Sequence, residues 1–416
     1  MIRKKKLAVL CGEQFAEDIQ QYAEKHDICT ISVRKRQDAL IHRFSDEQWY
    51  LNSTDSEQLL PMLREHHVDG ILACAGEKLL RKCVGWICES GFRFYSTPEQ
   101  WRVLTDKQQF REYASKFGIP LAKLFRVDPV LCSPLEQIVY PVIIKPVDNS
   151  GSSGIRICYD EEQLASAVSF ALEHSERKEV LCESYLKGRF FQFEVWMQNG
   201  TAYFPYTKDR CFYSCVSDAP PQPFLDVYPS ADQSVLEELL FGRIQQMLFS
   251  LGIKNGSCMF QGILSEGVPY IIDSAFRLSG GMDFRIVKAE KQVDLIGAHI
   301  EYAVNGVFSG DFLPLTRPFR SAYATLCIGL KNGIIAEISG LEEIRRLPFV
   351  VSCIQHYPVG YEMRNYGTFA QTAFRLSVKA ENRRQLKKCV EEILQLLSVQ
   401  NSQGESMLAD IPVYSV

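Results

Sequence analysis

Metal-site spacing is missing from this chain. Its 14 cysteines are scattered without one Cys-x-x-Cys pair, and it has only seven histidines. Cys211 and Cys215 stand four apart, but no other Cys or His lies near them at ligand spacing, which argues against a structural zinc site. The cysteines read as reduced, mostly buried small apolar residues of a cytosolic (cytoplasmic) protein. Long apolar runs are also missing. No stretch reaches the roughly 18 residues needed to cross a bilayer. The basic start Arg3-Lys4-Lys5-Lys6 is followed by only Leu7 to Cys11 before Gly12, so neither a signal peptide nor a membrane partner is expected. An excess of one charge is absent too: the net charge is −4, which gives no general attraction to nucleic acid or an anionic membrane. Two nucleotide signatures are lacking as well. There is no P-loop, and no Gly-x-Gly-x-x-Gly to support a hydride-transferring enzyme.

What is present is ordinary for a soluble globular chain: 416 residues, 46% hydrophobic and 23% charged, enough for about two to four domains. In the first hundred residues, strand-like runs at 7–11, 28–32, 49–51 and 70–74 alternate with helical patterns at 15–25, 56–66 and 77–89, and Phe92 to Tyr95 closes the unit. That order predicts a parallel sheet with helices on both faces. Thr105-Asp106-Lys107 opens a helix to about Lys116, with Thr105 as its cap and Gly118-Ile119-Pro120 as its stop.

Residues 141–155 are the most informative stretch. Val142-Ile143-Ile144 reads as a buried strand closed by Lys145, and Ser150 to Gly154 form a polar Gly/Ser loop before a second strand at 155–158. Such a loop lets backbone N–H groups approach an anion, and the lysine adds a compact positive charge. A plain solvent-exposed hairpin is the alternative. An amphipathic helix at 160–174 follows, with Asp160 as its cap. Asn199-Gly200 marks a hairpin between 193–196 and 201–204. A second hairpin, 258–264 with 268–273, would bring Gln261 and Asp273 to one face. Further on, 283–305 reads as one helix. Strands are expected at 322–328, 350–355 and 370–378, with Lys331-Asn332-Gly333 as a hairpin turn, a helix opening at Leu341 and a last helix at 381–397; 400–409 reads as loose.

The loop and its flanking segments resemble the ATP-grasp superfamily, over nearly the whole chain, and in particular its carboxylate-amine ligases, carbamoyl-phosphate synthases and amino-acid ligases. The resemblance implies α/β plus α+β architecture. It divides the chain into a Rossmann-like pre-ATP-grasp domain (1–104), a linking helix and lid (105–186), an ATP-grasp core (187–318), a biotin-carboxylase-like α+β domain (319–400) that often supports dimer contacts, hence a homodimer, and a tail (401–416). It implies that Lys107, Lys145, Ser152, Ser153 and Gly154 hold the ATP phosphates. The backbone at Glu183 and Leu186 would meet adenine, and Glu194 would keep an acidic cofactor position. Gln261 and Asp273 would hold Mg2+, or Mn2+ in its place. Arg277 would bind the transferring phosphate, with Lys145 and Asp273 also catalytic. Arg277, Ser279 and Gly280 would face the substrate. Lys208 to Tyr213 look like a cleft-facing insert, from which Arg210 would hold a substrate carboxylate through its planar fork, with a surface ion pair to Asp209 as the plain alternative.

The implied reaction joins a small carboxylate to an amine through an acyl phosphate, with release of ADP. Two departures stand against it. The family's Asn ligand is replaced by Ala275, and the acid expected near the ribose by Phe190. They keep open an ATP-binding assembly or sensor protein without chemistry. A carboxylase using bicarbonate is a nearer rival.

Overall fold

The computed structural model describes residues 3–10, 12–149, 153–213, 222–308, 310–364, 366–414 and 416. Ser150, Gly151, Ser152, Cys215, Pro220 and Pro221 lie outside them.

The N-terminal unit is the predicted parallel sheet. Strands β1 (Lys5–Val9), β2 (Ile28–Val33), β3 (Glu47–Trp49) and β4 (Gly70–Leu72) run in the order β3-β2-β1-β4. Helix α1 (Ala16–Lys25) connects β1 to β2, a 3-10 turn at Leu40–Phe44 leads from β2 to β3, α2 (Ser56–Glu65) connects β3 to β4, and α3 (Glu77–Glu89) follows β4. β1 is central, so Leu7, Ala8 and Val9 are all buried and read as a continuous apolar run. Asp55, not a residue of the apolar pattern, caps α2 through the backbone N–H of Gln58. No strand forms at 92–95. Instead α4 (Pro98–Thr105) follows, opened by a reciprocal capping box between Thr97 and Gln100. Thr105 therefore ends α4, its hydroxyl bonded to the Trp101 carbonyl. The cap of α5 (Lys107–Ser115) is Asp106, which accepts from the Gln109 N–H at 2.9 Å.

The lid is a separate antiparallel sheet. β5 (Leu124–Phe125), β6 (Val142–Pro146), β7 (Arg156–Cys158) and β8 (Val180–Ser184) take the order β5-β8-β6-β7. Helix α6 (Leu164–Glu173) buries Leu164, Ala167, Val168 and Ala171 against it. Asp160 and Gln163 do bond to each other, but one turn ahead of the helix. Gly154, at the end of the phosphate-loop segment, has φ +81°, and a Cβ there would meet the His174 Cβ at 2.5 Å. Glycine is thus required both by conformation and by space.

The remaining strands form one large sheet, nine-stranded among the described residues. They are β9 (Arg189–Gln198), β10 (Thr201–Tyr203), β11 (Thr207–Phe212), β12 (Pro223–Tyr228), β13 (Gly256–Ser265), β14 (Val268–Ala275), β15 (Ala322–Gly329), β16 (Val350–Gln355) and β17 (Thr372–Ala380). The order is β14-β13-β9-β11-β12-β15-β17-β16, with β10 paired to β9. Both hairpins form where expected. Lys208 to Phe212 are not an insert: they lie in β11, between β9 and β12. The sheet also crosses the boundary expected at 318/319, because β12 pairs with β15.

Three further expectations are corrected. The helix at 283–305 is two helices, α7 (Asp283–Lys291) and α8 (Leu295–Asn305). Gln292 turns left-handed (φ 59°), and Asp294 starts the second by capping Gly297 N–H at 2.8 Å. Gly70 lets α8 approach β4, since a Cβ there would meet the Ala303 carbonyl oxygen at 2.4 Å. Lys331 to Gly333 do not turn one hairpin, because Gly333–Ile334 pairs with the distant Glu362–Met363. Residues 400–409 are not loose: Met407 and Ala409 are buried, and the Met407 carbonyl accepts from Lys331 N–H at 2.7 Å. The last helix, α9 (Arg383–Leu396), is capped by Asn382 and buries Leu386, Val390 and Ile393. No helix is long and apolar enough to cross a membrane among the described residues.

Candidate active site

Lid, linking helix and large sheet meet at a cleft lined by Lys107, Phe110, Arg111, Lys145, Ile272 and Asp273, among others. Lys107 and Arg111 are four apart on α5 and so share a face. Lys107 Nζ donates to the Asn149 carbonyl at 2.7 Å and pairs with Asp273 Oδ1 at 3.4 Å. Burial alone would lower its pKa, but the Asp273 and Glu77 carboxylates hold it above the usual lysine value. Lys145 Nζ lies 2.7 Å from Glu183 Oε2 and 3.3 Å from the Ile272 carbonyl. Here burial wins over Glu183, and the pKa is lowered. Arg111 takes the other oxygen of Glu183 at 3.0 Å. The lysine of the lid and that of the linking helix therefore reach one place from separate elements.

Asp273 faces Gln261 directly across β14 and β13, and Gln261 faces Gln192 across β13 and β9. Gln261 Nε2 leans toward Gln192 Oε1 at 3.4 Å. The Gln261 carbonyl oxygen and the Asp273 carboxylate are hard donors on one face, and Asp273 keeps 30% of its side chain exposed. Two such donors fit Mg2+ when phosphate oxygens complete its octahedron. The described residues hold no group of three metal-ligating side chains, and Ala275 contributes none.

Beyond Asp273 the chain turns through Arg277, Ser279 and Gly280. Arg277 Nη1 donates to the Leu278 carbonyl at 3.0 Å, while its buried Nε has no partner among the described residues. The Leu278 N–H bonds the Cys74 carbonyl at 2.9 Å, so this turn sits at the carboxyl end of β4, where open parallel sheets commonly place ligands. From that same end comes Glu77, a nearly buried carboxylate in the field of Asp273, Lys107, Arg277 and Arg81. Burial raises its pKa, Asp273 adds to the rise, and the cations oppose it. Ser279 Oγ accepts from Gln192 Nε2 at 3.2 Å, and the Gly280 carbonyl accepts from Arg375 at 2.7 Å.

Other expected residues lie differently. Glu183 is inside β8, paired with both β5 and β6, and its side chain holds Arg111 and Lys145. Leu186 stands half-buried in the loop after β8, with no backbone hydrogen bond among the described residues. Ser153 begins the described part of the loop next to Gly154. Glu194 is fully buried. It accepts from Ser257 Oγ at 2.7 Å and Tyr206 OH at 3.0 Å, and desolvation pushes its pKa up to about 7. Its charged neighbours are Asp283 and Lys208, so it belongs to an interior network. Arg210 and Asp209 point to opposite faces of β11: Arg210 Nε bonds Asp226 at 3.0 Å, and Asp209 pairs with Arg383 at 2.9 Å. Lys208 is buried between Asp226 and Asp283, at 2.8 and 2.7 Å.

Comparison with known proteins shows what the chain is similar to. The model for the carbamoyl-phosphate synthase L chain, ATP binding domain, matches residues 106–198. The uncharacterized protein y4rH of Sinorhizobium fredii is 27% identical over 279 residues, 64% of this chain and 55% of that protein. The carbamoyl phosphate synthase large chain of Clostridium perfringens is 22% identical over 255 residues, 60% of this chain and 23% of its own length. The chain thus spans about half, or a quarter, of these curated relatives. Among solved structures, the L-amino acid ligase from Bacillus licheniformis superposes with a TM-score of 0.78 at 17% identity, over 97% of this chain and all of that one.

Proposed function

We propose that the chain is a member of the ATP-grasp superfamily, in the branch that holds carbamoyl-phosphate synthases and amino-acid ligases, and that it joins a small carboxylate to an amine at the expense of ATP. The observation that carries the reading is the convergence of Lys107 and Lys145 on Asp273, with the buried Nε of Arg277, unpartnered among the described residues, beyond. The two lysines hold the triphosphate. The substrate carboxylate attacks the γ-phosphorus, the bond to the bridging oxygen of ADP breaks, and an acyl phosphate forms. The amine then attacks the acyl carbon, phosphate leaves with the bonding electron pair, and the amine's proton passes to solvent or to a nearby base. Asp273 and Gln261 would hold Mg2+, which when bound neutralises phosphate charge. Arg277 stabilises charge on the transferring group, and positioning with fixed positive charge supplies most of the rate. Closure of the lid over the phosphates keeps water from the acyl phosphate.

The test is ADP release from Mg-ATP with pooled amino acids and small carboxylates, with Lys145→Ala as control. Release that depends on both substrate and Lys145 supports the ligase, and dividing the active pool names the substrate. Folded protein that binds ATP yet forms no ADP with any pool removes the reading. Ala275 in place of a metal-ligating side chain favours a second reading, an ATP-binding protein without turnover. Unaltered ATP affinity in Asp273→Asn, with no ADP formed by the parent, would support that one.

A further inference from the structure

The far end of α7 carries a second group of cations. Its first residue, Asp283, is bonded to Lys208 and to the Tyr228 hydroxyl. Its last is Lys291, at the other end of the nine-residue helix and about 12 Å away at the helical rise. Lys291 is only 6% exposed, and its ammonium lies over the ring of Phe319, 4.7 Å from the centroid. No hydrogen bond and no carboxylate at ion-pair distance reaches that ammonium among the described residues. Glu290 is engaged elsewhere: one oxygen accepts from the Arg320 N–H, the other from Tyr323 OH at 2.9 Å. Arg317 and Arg320 are exposed and line one cleft with Lys291. Neither has an ion-pair partner among the described residues.

A buried ammonium without a counter-charge is costly. Desolvation pushes the Lys291 pKa down to about 8. Glu290 opposes that shift, and Arg317 adds to it. Three cations against one carboxylate leave the cleft at a net +2. Its space of about 90 Å³, where a single water needs about 10–15 Å³ on the same measure, admits several waters or one tetrahedral oxyanion. Arginine forks and a lysine point charge together are the usual donors to phosphate oxygens.

We propose that this cleft, between the end of α7 and the 317–320 segment, binds a dianionic phosphate group. Free phosphate and a phosphate monoester share that chemistry, and each would tie α7 to the segment that leads into β15. The site is separate from the nucleotide cleft and does not depend on the ligase reading.

The test is isothermal titration of the full chain with inorganic phosphate, glycerol phosphate and acetate, on the parent and on Lys291→Met, Arg317→Ala/Arg320→Ala and Lys145→Ala. The expected result is saturable phosphate or monoester binding that Lys145→Ala leaves unchanged. Lys291→Met and the arginine pair should each weaken it about tenfold or more, the loss expected when a charge-assisted hydrogen bond is removed, and acetate should not compete. The tighter of the two phosphates identifies the source. Met keeps the stem over Phe319, and both arginines are exposed, so at least the arginine variant stays folded. Binding that survives both sets of substitutions, binding lost only in Lys145→Ala, or no saturable binding to the parent would each overturn the proposal.

Discussion

Two sets of buried charge lie against the same large sheet, and they differ in what can reach them. At the β14 edge, Lys107 and Lys145 are buried, but the Asp273 carboxylate beside them stays 30% exposed. Near the centre, Lys208 retains 2% of its side-chain surface, and its partners Asp226 and Asp283 retain 7% and 1%. The first set is paired yet open on one side, so a phosphate oxygen can take the place of a carboxylate. The second is sealed, and with Arg210 on Asp226 its two cations match its two carboxylates. Exposure of the counter-ion, more than the burial of the lysine, separates a cation that meets a ligand from one that holds strands together.

That contrast can be broken by substitution. Lys145→Ala should lower ADP formation about 10²–10³-fold, measured as steady-state release with the active substrate pool; activity within a few-fold of the parent would remove Lys145 from the chemistry. Lys208→Met should leave turnover chemistry aside and strike the fold. Stranding Asp283, and leaving Asp226 to Arg210 alone, costs about 3–5 kcal/mol, read from urea unfolding, and a loss below about 1 kcal/mol would mean the network is not sealed. Asp273→Asn should lower activity about 10–100-fold and raise the Mg2+ concentration needed, with little change in melting temperature because its side chain is already 30% exposed; a large drop in stability would place it in the second class.

The smallest effect concerns Glu194. Its carboxyl stays protonated up to about pH 7 in the folded chain and titrates near 4.5 when unfolded. Between those values the folded state binds more protons, so stability falls as pH rises. Glu194→Gln has no such titration. Its stability relative to the parent should therefore climb from pH 4.5 to about 7 and level off above. A flat difference across that window would show that Glu194 titrates normally.

Much of this was legible in the sequence, for identifiable reasons. The β1 to β4 alternation and both hairpins follow from local periodicity and turn chemistry. The lid lysine was readable because a buried strand seldom ends in a lone lysine before a Gly/Ser loop. Glu77 was not singled out, although an acid just past β4, at the carboxyl end of a parallel sheet, was a usable signal. Gln192 and Glu194 gave another: polar residues at period two within an otherwise apolar strand. Lys208 could not be read correctly from neighbours, since its partner Asp283 is 75 residues away. The split at Gln292 was hidden for a different reason, because a left-handed glutamine carries no sequence mark of its own.

The sheet that runs unbroken from β14 to β16 bears on how this chain can be handled. Ending it ahead of Ala322 would strip away β15, β17 and β16 together. β12, with Phe224, Leu225 and Val227 buried at present, would become a raw edge of unpaired N–H and C=O groups, a template for pairing with other copies. The C-terminal residues thus act as the selvedge of the fold, and a shortened form should be sought by excising the lid before trimming the end.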